Sequence, residues 1–184
     1  MDPRDRTWAE VNATRRSVVS YTGEVVSREL IREIVDEAAL APSAFNGQPW
    51  RFVVVQGDAL DRFDEALGGN MSKIRSAGTL VAVFADTSGL DGREGFYDGS
   101  LARTTGEWAA RNGGIVAMNV LQAAWSHGVG TRPMIGFDAA GLRDAADVPD
   151  SWHPVLSVAM GWPADEDLPP RSRRPVDEVL RFLD

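Results

Sequence analysis

A chain of 184 residues, 43% hydrophobic and 25% charged, has the size and composition of one globular domain spanning residues 1–184. Its net charge of −8 argues against field-driven contact with nucleic acid or anionic lipid. The lack of cysteine excludes disulfides and thiol catalysis, and two histidines, His127 and His153, are a poor start for a metal centre. No apolar run approaches the ~20 residues of a bilayer span. The opening Met-Asp-Pro-Arg-Asp-Arg has no apolar segment behind it, so the expected location is the cytoplasm.

Trp8 and Val11 share a helical interval within residues 5–14, and the segment runs straight into Arg15-Arg16-Ser17. Ser27 caps a helix in which Leu30, Ile31, Ile34, Val35 and Ala38 recur at three- and four-residue spacing as far as Leu40. That pattern ends at Pro42. A polar connector, Ser43 to Gln48, then passes through Pro49 into a β-branched run, Trp50–Val55, that reads as a buried strand. Held between two prolines, Ser43, Asn46 and Gln48 either present hydrogen-bonding groups to a ligand or turn the chain.

Asp58 opens a short amphipathic helix with Leu60, Phe63 and Leu67 inward; Gly68-Gly69 stops it and Asn70-Met71-Ser72-Lys73 follows. Thr79–Ala85 is a second buried strand. Residues 86–107 form a polar, glycine-bearing stretch around Phe96 and Tyr97, expected to be mobile and a candidate lid. From Trp108 to His127 runs a long helix with Gly114, Met118, Leu121 and Trp125 on one stripe and Ile115 and Asn119 beside it. The pair Gly113-Gly114 lets another backbone come close, so this helix is expected to serve both as core and as subunit interface. Gly128–Met134 is a strand, Gly136-Phe137-Asp138 turns into a helix holding Leu142 and Ala146, and Pro154–Met160 is a strand stopped by Gly161-Trp162-Pro163. The proline-rich tail finishes in Val179, Leu180, Phe182 and Leu183, apolar groups that need a surface to lie on, a partner's included. Strands alternate with helices, so the class is mixed α and β.

Chemistry concentrates in a few places. Arg15-Arg16 before Ser17 and Arg171-Ser172-Arg173-Arg174 stand at opposite ends of the chain. Each alone is ordinary solvated surface, but converging they would make one phosphate-sized anion site through paired, charge-assisted hydrogen bonds. Neither GxGxxG nor GxxxxGK[ST] is present as an alternative phosphate loop. Asn70 and Lys73, three residues apart, reach one ligand edge or are a turn and a helix end. Phe96, Tyr97 and Trp108 are stacking faces for a planar substrate or core residues. His127 and His153 receive no role. No carboxylate pair sits in a pattern that demands acid–base work, so no catalytic side chain and no metal ligand is assigned.

Four blocks in order, Arg15-Arg16-Ser17, the run Ala41 to Trp50, Pro133-Met134-Ile135-Gly136-Phe137-Asp138 and Arg171-Ser172-Arg173-Arg174-Pro175, make the chain resemble the flavin-dependent nitroreductase family over nearly its whole length. The resemblance implies an α+β fold with a mostly antiparallel central sheet flanked by helices. It also implies a homodimer whose C-terminal segments exchange across the interface, with FMN bound there. Arg15, Arg16 and Ser17, joined by Arg171 and Arg173, would then meet the phosphate and ribityl side, and Pro42, Ser43 and Asn46 would come from the partner chain. Asn70 and Lys73 would face the pyrimidine edge, and the backbone at Pro133, Ile135 and Gly136 would line the ring near N5 and O4. Phe45, Phe96, Tyr97 and Trp108 would border the substrate. A lysine beside N1 and O2 favours the reduced flavin. Val19, where the family often carries a basic residue, implies a lower potential than in relatives with that cation. The expected activity is hydride transfer from NADH or NADPH through FMN to a nitroaromatic, quinone or similar planar acceptor. The alternatives are a dimeric FMN-binding module with little turnover and a relative performing dehalogenation or flavin fragmentation.

Overall fold

The computed structural model describes residues 3–90, 105–165 and 171–183. Four strands, β1 (Trp50–Gln56), β2 (Thr79–Asp86), β3 (Gly130–Met134) and β4 (Trp152–Gly161), form one sheet in the order β1-β2-β4-β3. Every neighbouring pair is antiparallel, with one register shift between Val83 and Phe84 where β2 meets β4. Each strand lies where the sequence places it, its ends moved by one or two residues. The α+β class with an antiparallel sheet is therefore what the chain adopts.

The sheet is covered on both faces, and β2 shows why its sequence is a continuous apolar run rather than an alternation. Val81 and Val83 point into a cluster with Ile31, Ile34 and Ala38 of α2 (Arg28–Ala38) and Val116, Val120 and Ala124 of α5 (Thr105–Ser126). Leu80, Ala82 and Phe84 point the other way, into a cluster with Ala66 and Leu67 of α3 (Asp64–Leu67), Ile74 of α4 (Met71–Ala77) and Leu142 of α6 (Ala139–Ala146). β4 can pass under α4 because Gly161 has no side chain: a Cβ there would strike the Ala77 carbonyl.

The helix ends follow local chemistry. Thr7 and Glu10 form a reciprocal capping box on α1 (Trp8–Thr14). The Ser27 hydroxyl accepts from the Leu30 amide at 3.2 Å, and the Asp138 carboxylate accepts from the amides of Ala140 and Gly141 at 3.2 and 3.1 Å. The stretch opened by Asp58 departs from the expected single helix. It is a 3-10 turn over Gly57–Phe63 followed by α3, although Leu60, Phe63 and Leu67 are buried as their spacing requires.

The rotation of α5 also departs from the expected stripe. Of Gly114, Met118, Leu121 and Trp125 only Leu121 is buried, and Met118 and Ile115 lie exposed. The core face is Asn112, Gly113, Val116, Ala117, Val120, Ala123 and Ala124. The helix is apolar nearly all round, so periodicity could not choose a face; contact does. Gly113 sits against the Val155 side chain with no space for a Cβ, which sets the rotation. The terminal Val179, Leu180, Phe182 and Leu183 remain exposed and are not covered by the chain's own core. Among the described residues no helix is long and apolar enough to cross a membrane.

Candidate functional site

Strand β3 is the spine of the site. At its first half the backbone of residues 17 and 18 lies alongside: Ser17 and Thr131 form a parallel bridge, and the Val18 amide donates to the Thr131 carbonyl at 3.0 Å. This lashes Arg15 and Arg16, at the end of α1, to the sheet edge. The Arg16 guanidinium donates through Nη1 to the carbonyls of Ala13 and Arg15 at 2.7 and 2.9 Å, which fixes its direction. Its Nε and the Nη1 of Arg15 are buried with no hydrogen-bond acceptor. Buried guanidinium N–H groups without acceptors are costly, and two of like charge held together cost more.

The arginine of the distant tail joins them. Burial first, then the positive charges of Arg173 and Arg16, pull the Arg15 guanidinium below its ordinary value. Arg173 therefore stands close enough to repel Arg15, which brings a residue of the tail to the end of α1. Arg173 is steadied through Nη1, which donates to the carbonyls of Arg171 and Ser172 at 3.3 and 3.0 Å; Arg171 itself is exposed. Clustered guanidinium groups of this kind have the donors and charge that a dianion would satisfy.

The second cluster forms just past the other end of β3, where the chain leaves Met134 for Ile135 and Gly136. Asn70 donates through Nδ2 to the Gly136 carbonyl at 2.6 Å, and its Oδ1 accepts from Lys73 Nζ at 2.6 Å. One amide thus ties the start of α4 to the turn after β3 and holds the ammonium at the same place. Lys73 is half-buried, while Ile135 is 82% exposed beside it.

The Pro42 loop lies elsewhere in the chain. It feeds β1, the sheet edge opposite β3; three strand spacings put those edges about 14 Å apart. Its hydrogen bonds include one within itself, one to α5 and one to β1: the Ser43 hydroxyl accepts from the Gln48 amide at 2.9 Å, the Ala44 amide donates to Asn112 Oδ1 at 3.0 Å, and Arg51 Nη1 donates to the Gln48 carbonyl at 3.3 Å. Phe45, Asn46 and Gln48 all have left-handed backbone, with φ of 54°, 54° and 44°. Pro42 and Asn46 are exposed, Ser43 is half-buried and Phe45 is 60% exposed.

Of the four aromatic candidates, Phe45 is the one that lies largely exposed among the described residues. Trp108 is 6% exposed and packs with Ala85 and Ala109, so it belongs to the core of this chain and offers no free stacking face. Phe96 and Tyr97, with most of the proposed lid, lie outside the described residues. His127 bonds Glu37 at 2.8 Å between α5 and α2, a structural tie. Among the described residues no group of three or more His, Asp or Glu is arranged to hold a metal ion. Sequence reasoning missed Asn112, which joins the loop to α5. Its signal was available: it is the one polar residue in the stripe Ala109, Asn112, Gly113, Val116.

Comparison with known proteins agrees with this geometry. The model of the nitroreductase family matches residues 13–162. A candidate NAD(P)H nitroreductase of Streptococcus pyogenes, Spy0809, is 31% identical over 93% of this chain and 96% of its own length. Among solved structures, a nitroreductase family protein from Streptococcus pneumoniae superposes with a TM-score of 0.81 at 29% identity, covering 96% of this chain and all of that one. A protein of Exiguobacterium sibiricum solved in complex with FMN superposes with a TM-score of 0.84 at 24% identity, over 97% of this chain and 98% of that one. With the same fold and a family match across most of its length, the chain belongs to the nitroreductase family.

Proposed function

We propose that the protein is a dimeric FMN-dependent oxidoreductase that moves a hydride from NADH or NADPH to a nitroaromatic, a quinone or another planar acceptor. The observation that carries this is the pair of buried, acceptorless nitrogens, Arg15 Nη1 and Arg16 Nε, beside a third cation at Arg173. They fit a phosphate ester. From Thr131 to Gly136 an extended backbone spans about 17 Å, which separates this phosphate cradle from the Lys73–Asn70 pair by the length of an elongated cofactor.

When bound, the flavin supplies the ring that accepts a hydride and hands electrons on. The chain's own residues do the rest. Arg15, Arg16, Ser17, Arg171 and Arg173 hold the phosphate and ribityl end, while Lys73 and Asn70 meet the pyrimidine edge. Pro133, Ile135 and Gly136 line the ring, and the exposed Ile135 keeps water off it. Pro42, Ser43 and Asn46 sit on the wrong sheet edge to serve the same copy's β3 and come instead from the partner subunit. The exposed Met118, Ile115, Leu40 and Phe45 and the apolar tail supply the surface for that pairing. No side chain needs to act as acid or base, because positioning and electrostatics suffice for transfer between stacked planar partners.

The test is anaerobic. The reconstituted protein is expected to lose its yellow colour with NADH or NADPH and to regain it with a nitroaromatic or quinone. A yellow protein that neither nicotinamide bleaches would instead be the binding module.

A further inference from the structure

We infer that Asn112 is the residue that sets the shape of the cofactor loop, and through it the affinity for flavin. The inference rests on the flavin reading above.

Asn112 is 4% exposed on the face of α5 that otherwise carries Ala109, Gly113, Val116 and Ala117. An asparagine is a poor choice inside a helix and poorer inside a core, where a leucine of similar volume would cost nothing in desolvation. It is tolerated because both ends of its amide are bonded. Nδ2 donates to the Trp108 carbonyl one turn back at 2.9 Å, and Oδ1 accepts from the Ala44 amide at 3.0 Å, across 68 residues of sequence. The first bond is local and gives the fold little. The second reaches out of the core and takes hold of the loop.

The loop needs such a hold. Three residues without the freedom of glycine, Phe45, Asn46 and Gln48, occupy left-handed backbone, a conformation that relaxes unless its surroundings over-determine it. The bonds from Asn46 N to Ser43 O, from Gly47 N to Ala44 O and from Gln48 N to the Ser43 hydroxyl shape it internally but do not say where it stands. Arg51 Nη1 ties the far end to β1 through the Gln48 carbonyl at 3.3 Å, and the Asn112 bond places the middle of the loop against α5, which packs on the sheet. Ala44 lies directly between Ser43 and the Phe45-Asn46 pair, so fixing its amide fixes the groups on either side. Asn112 touches no ligand; it is a positioning residue.

The experiment uses full-length protein with two variants that cut the same bond from opposite sides. Asn112→Leu removes the acceptor. Ala44→Pro removes the donor without touching α5, and Ser43, with φ −140° and ψ 161°, already has the backbone that a following proline requires. Two readouts are taken: hydrogen exchange of the Ala44 amide in flavin-free protein, possible for the parent and Asn112→Leu, and the dissociation constant for FMN by flavin fluorescence. Loss of one buried hydrogen bond predicts about tenfold faster Ala44 exchange and about tenfold weaker FMN binding, with β2 amides as slow as in the parent. The double variant should bind FMN no more weakly than either single one. A folded Asn112→Leu with parental FMN affinity overturns the inference, and so do additive losses in the double variant. A parent that binds no FMN rejects the flavin reading itself, a separate outcome seen before any variant is made.

Discussion

The arginine cradle makes a prediction with two signs, which a merely structural role would not produce. In the flavin-free chain Arg15 is half-buried, one of its nitrogens has no acceptor, and Arg173 and Arg16 repel it. Arg15→Met keeps most of the aliphatic stem and removes the charge, so the flavin-free protein should be no less stable than the parent, and Tm should hold or rise. The bound state should suffer. A hydrogen bond to a charged group contributes about 1.5–3 kcal/mol, so FMN should bind about 10- to 150-fold more weakly. Riboflavin, which has the ring and ribityl chain but no phosphate, is the control: its affinity should be nearly the same for parent and variant. Fluorescence titration of flavin-free protein with each ligand reads both constants, and a thermal scan with and without FMN reads the linked stabilisation. A variant that loses FMN and riboflavin in equal measure, or loses neither, would show that Arg15 does not meet the phosphate.

Lys73→Met should make the flavin midpoint potential more negative. One unit charge near 5 Å at an effective dielectric of ~20 is worth about 3 kcal/mol, and screening reduces this, so a shift of roughly 30–70 mV is expected in a dye-linked redox titration; an unchanged potential would remove Lys73 from the ring edge. Gly161→Ala pushes a methyl group into the Ala77 carbonyl and should cost about 1–3 kcal/mol, or roughly 3–10 °C in Tm, whereas Gly69→Ala, with open space around it, should be near neutral. For Asp86, burial raises the carboxyl, but hydrogen bonds from the Ser88 hydroxyl and amide and from Ser151, with Arg51 at 3.0 Å, outweigh it and hold the group below its ordinary value. A depressed folded-state pKa contributes stability above the unfolded value of 3.8 that is lost as pH falls through the folded one. Asp86→Asn should therefore weaken the protein to urea at pH 7 and make little difference at pH 2; equal effects at both would contradict the linkage.

Much of this molecule is legible before it folds, and the parts that are not share a cause. The strands are read to within two residues because β-branched runs bounded by Gly and Pro have no helical alternative of the right length. The caps at Ser27 and Asp138 are local chemistry and appear as such. The face of α5 was not legible, since a helix apolar on every side leaves periodicity silent and the choice falls to one contact, Gly113 on Val155. The left-handed backbone at Phe45, Asn46 and Gln48 was not legible either, because none of the three is a glycine and what holds them is tertiary. The arginine clusters were visible as residues but their meeting was not. It takes the bridge from Ser17 to Thr131 and the course of the tail to bring Arg173 to Arg15, and only a resemblance to a known family anticipated it.

The same distinction bears on the end of the chain. Val176, Val179, Leu180, Phe182 and Leu183 are between 49% and 81% exposed, so the isolated fold gains almost nothing from them. Burying an aliphatic or aromatic side chain is worth about 1.5–3 kcal/mol, and five of them supply roughly 7–15 kcal/mol before the cost of association. A dimer with a dissociation constant of 1 μM needs about 8 kcal/mol net, so the tail could supply a large share of the pairing energy while being dispensable to one copy. Ending the chain after Pro175 keeps Arg171, Arg173 and Arg174 and removes the five apolar residues together with Asp177, Glu178, Arg181 and Asp184. If the proposed pairing holds, the shortened protein should retain its circular dichroism, run as a monomer by light scattering at micromolar concentration, and bind FMN poorly for want of Ser43 and Asn46 from a second copy. If it stays dimeric and binds FMN as the parent does, the tail has no part in the interface, and the pairing must rest on other exposed apolar groups such as Met118, Ile115, Leu40 and Phe45.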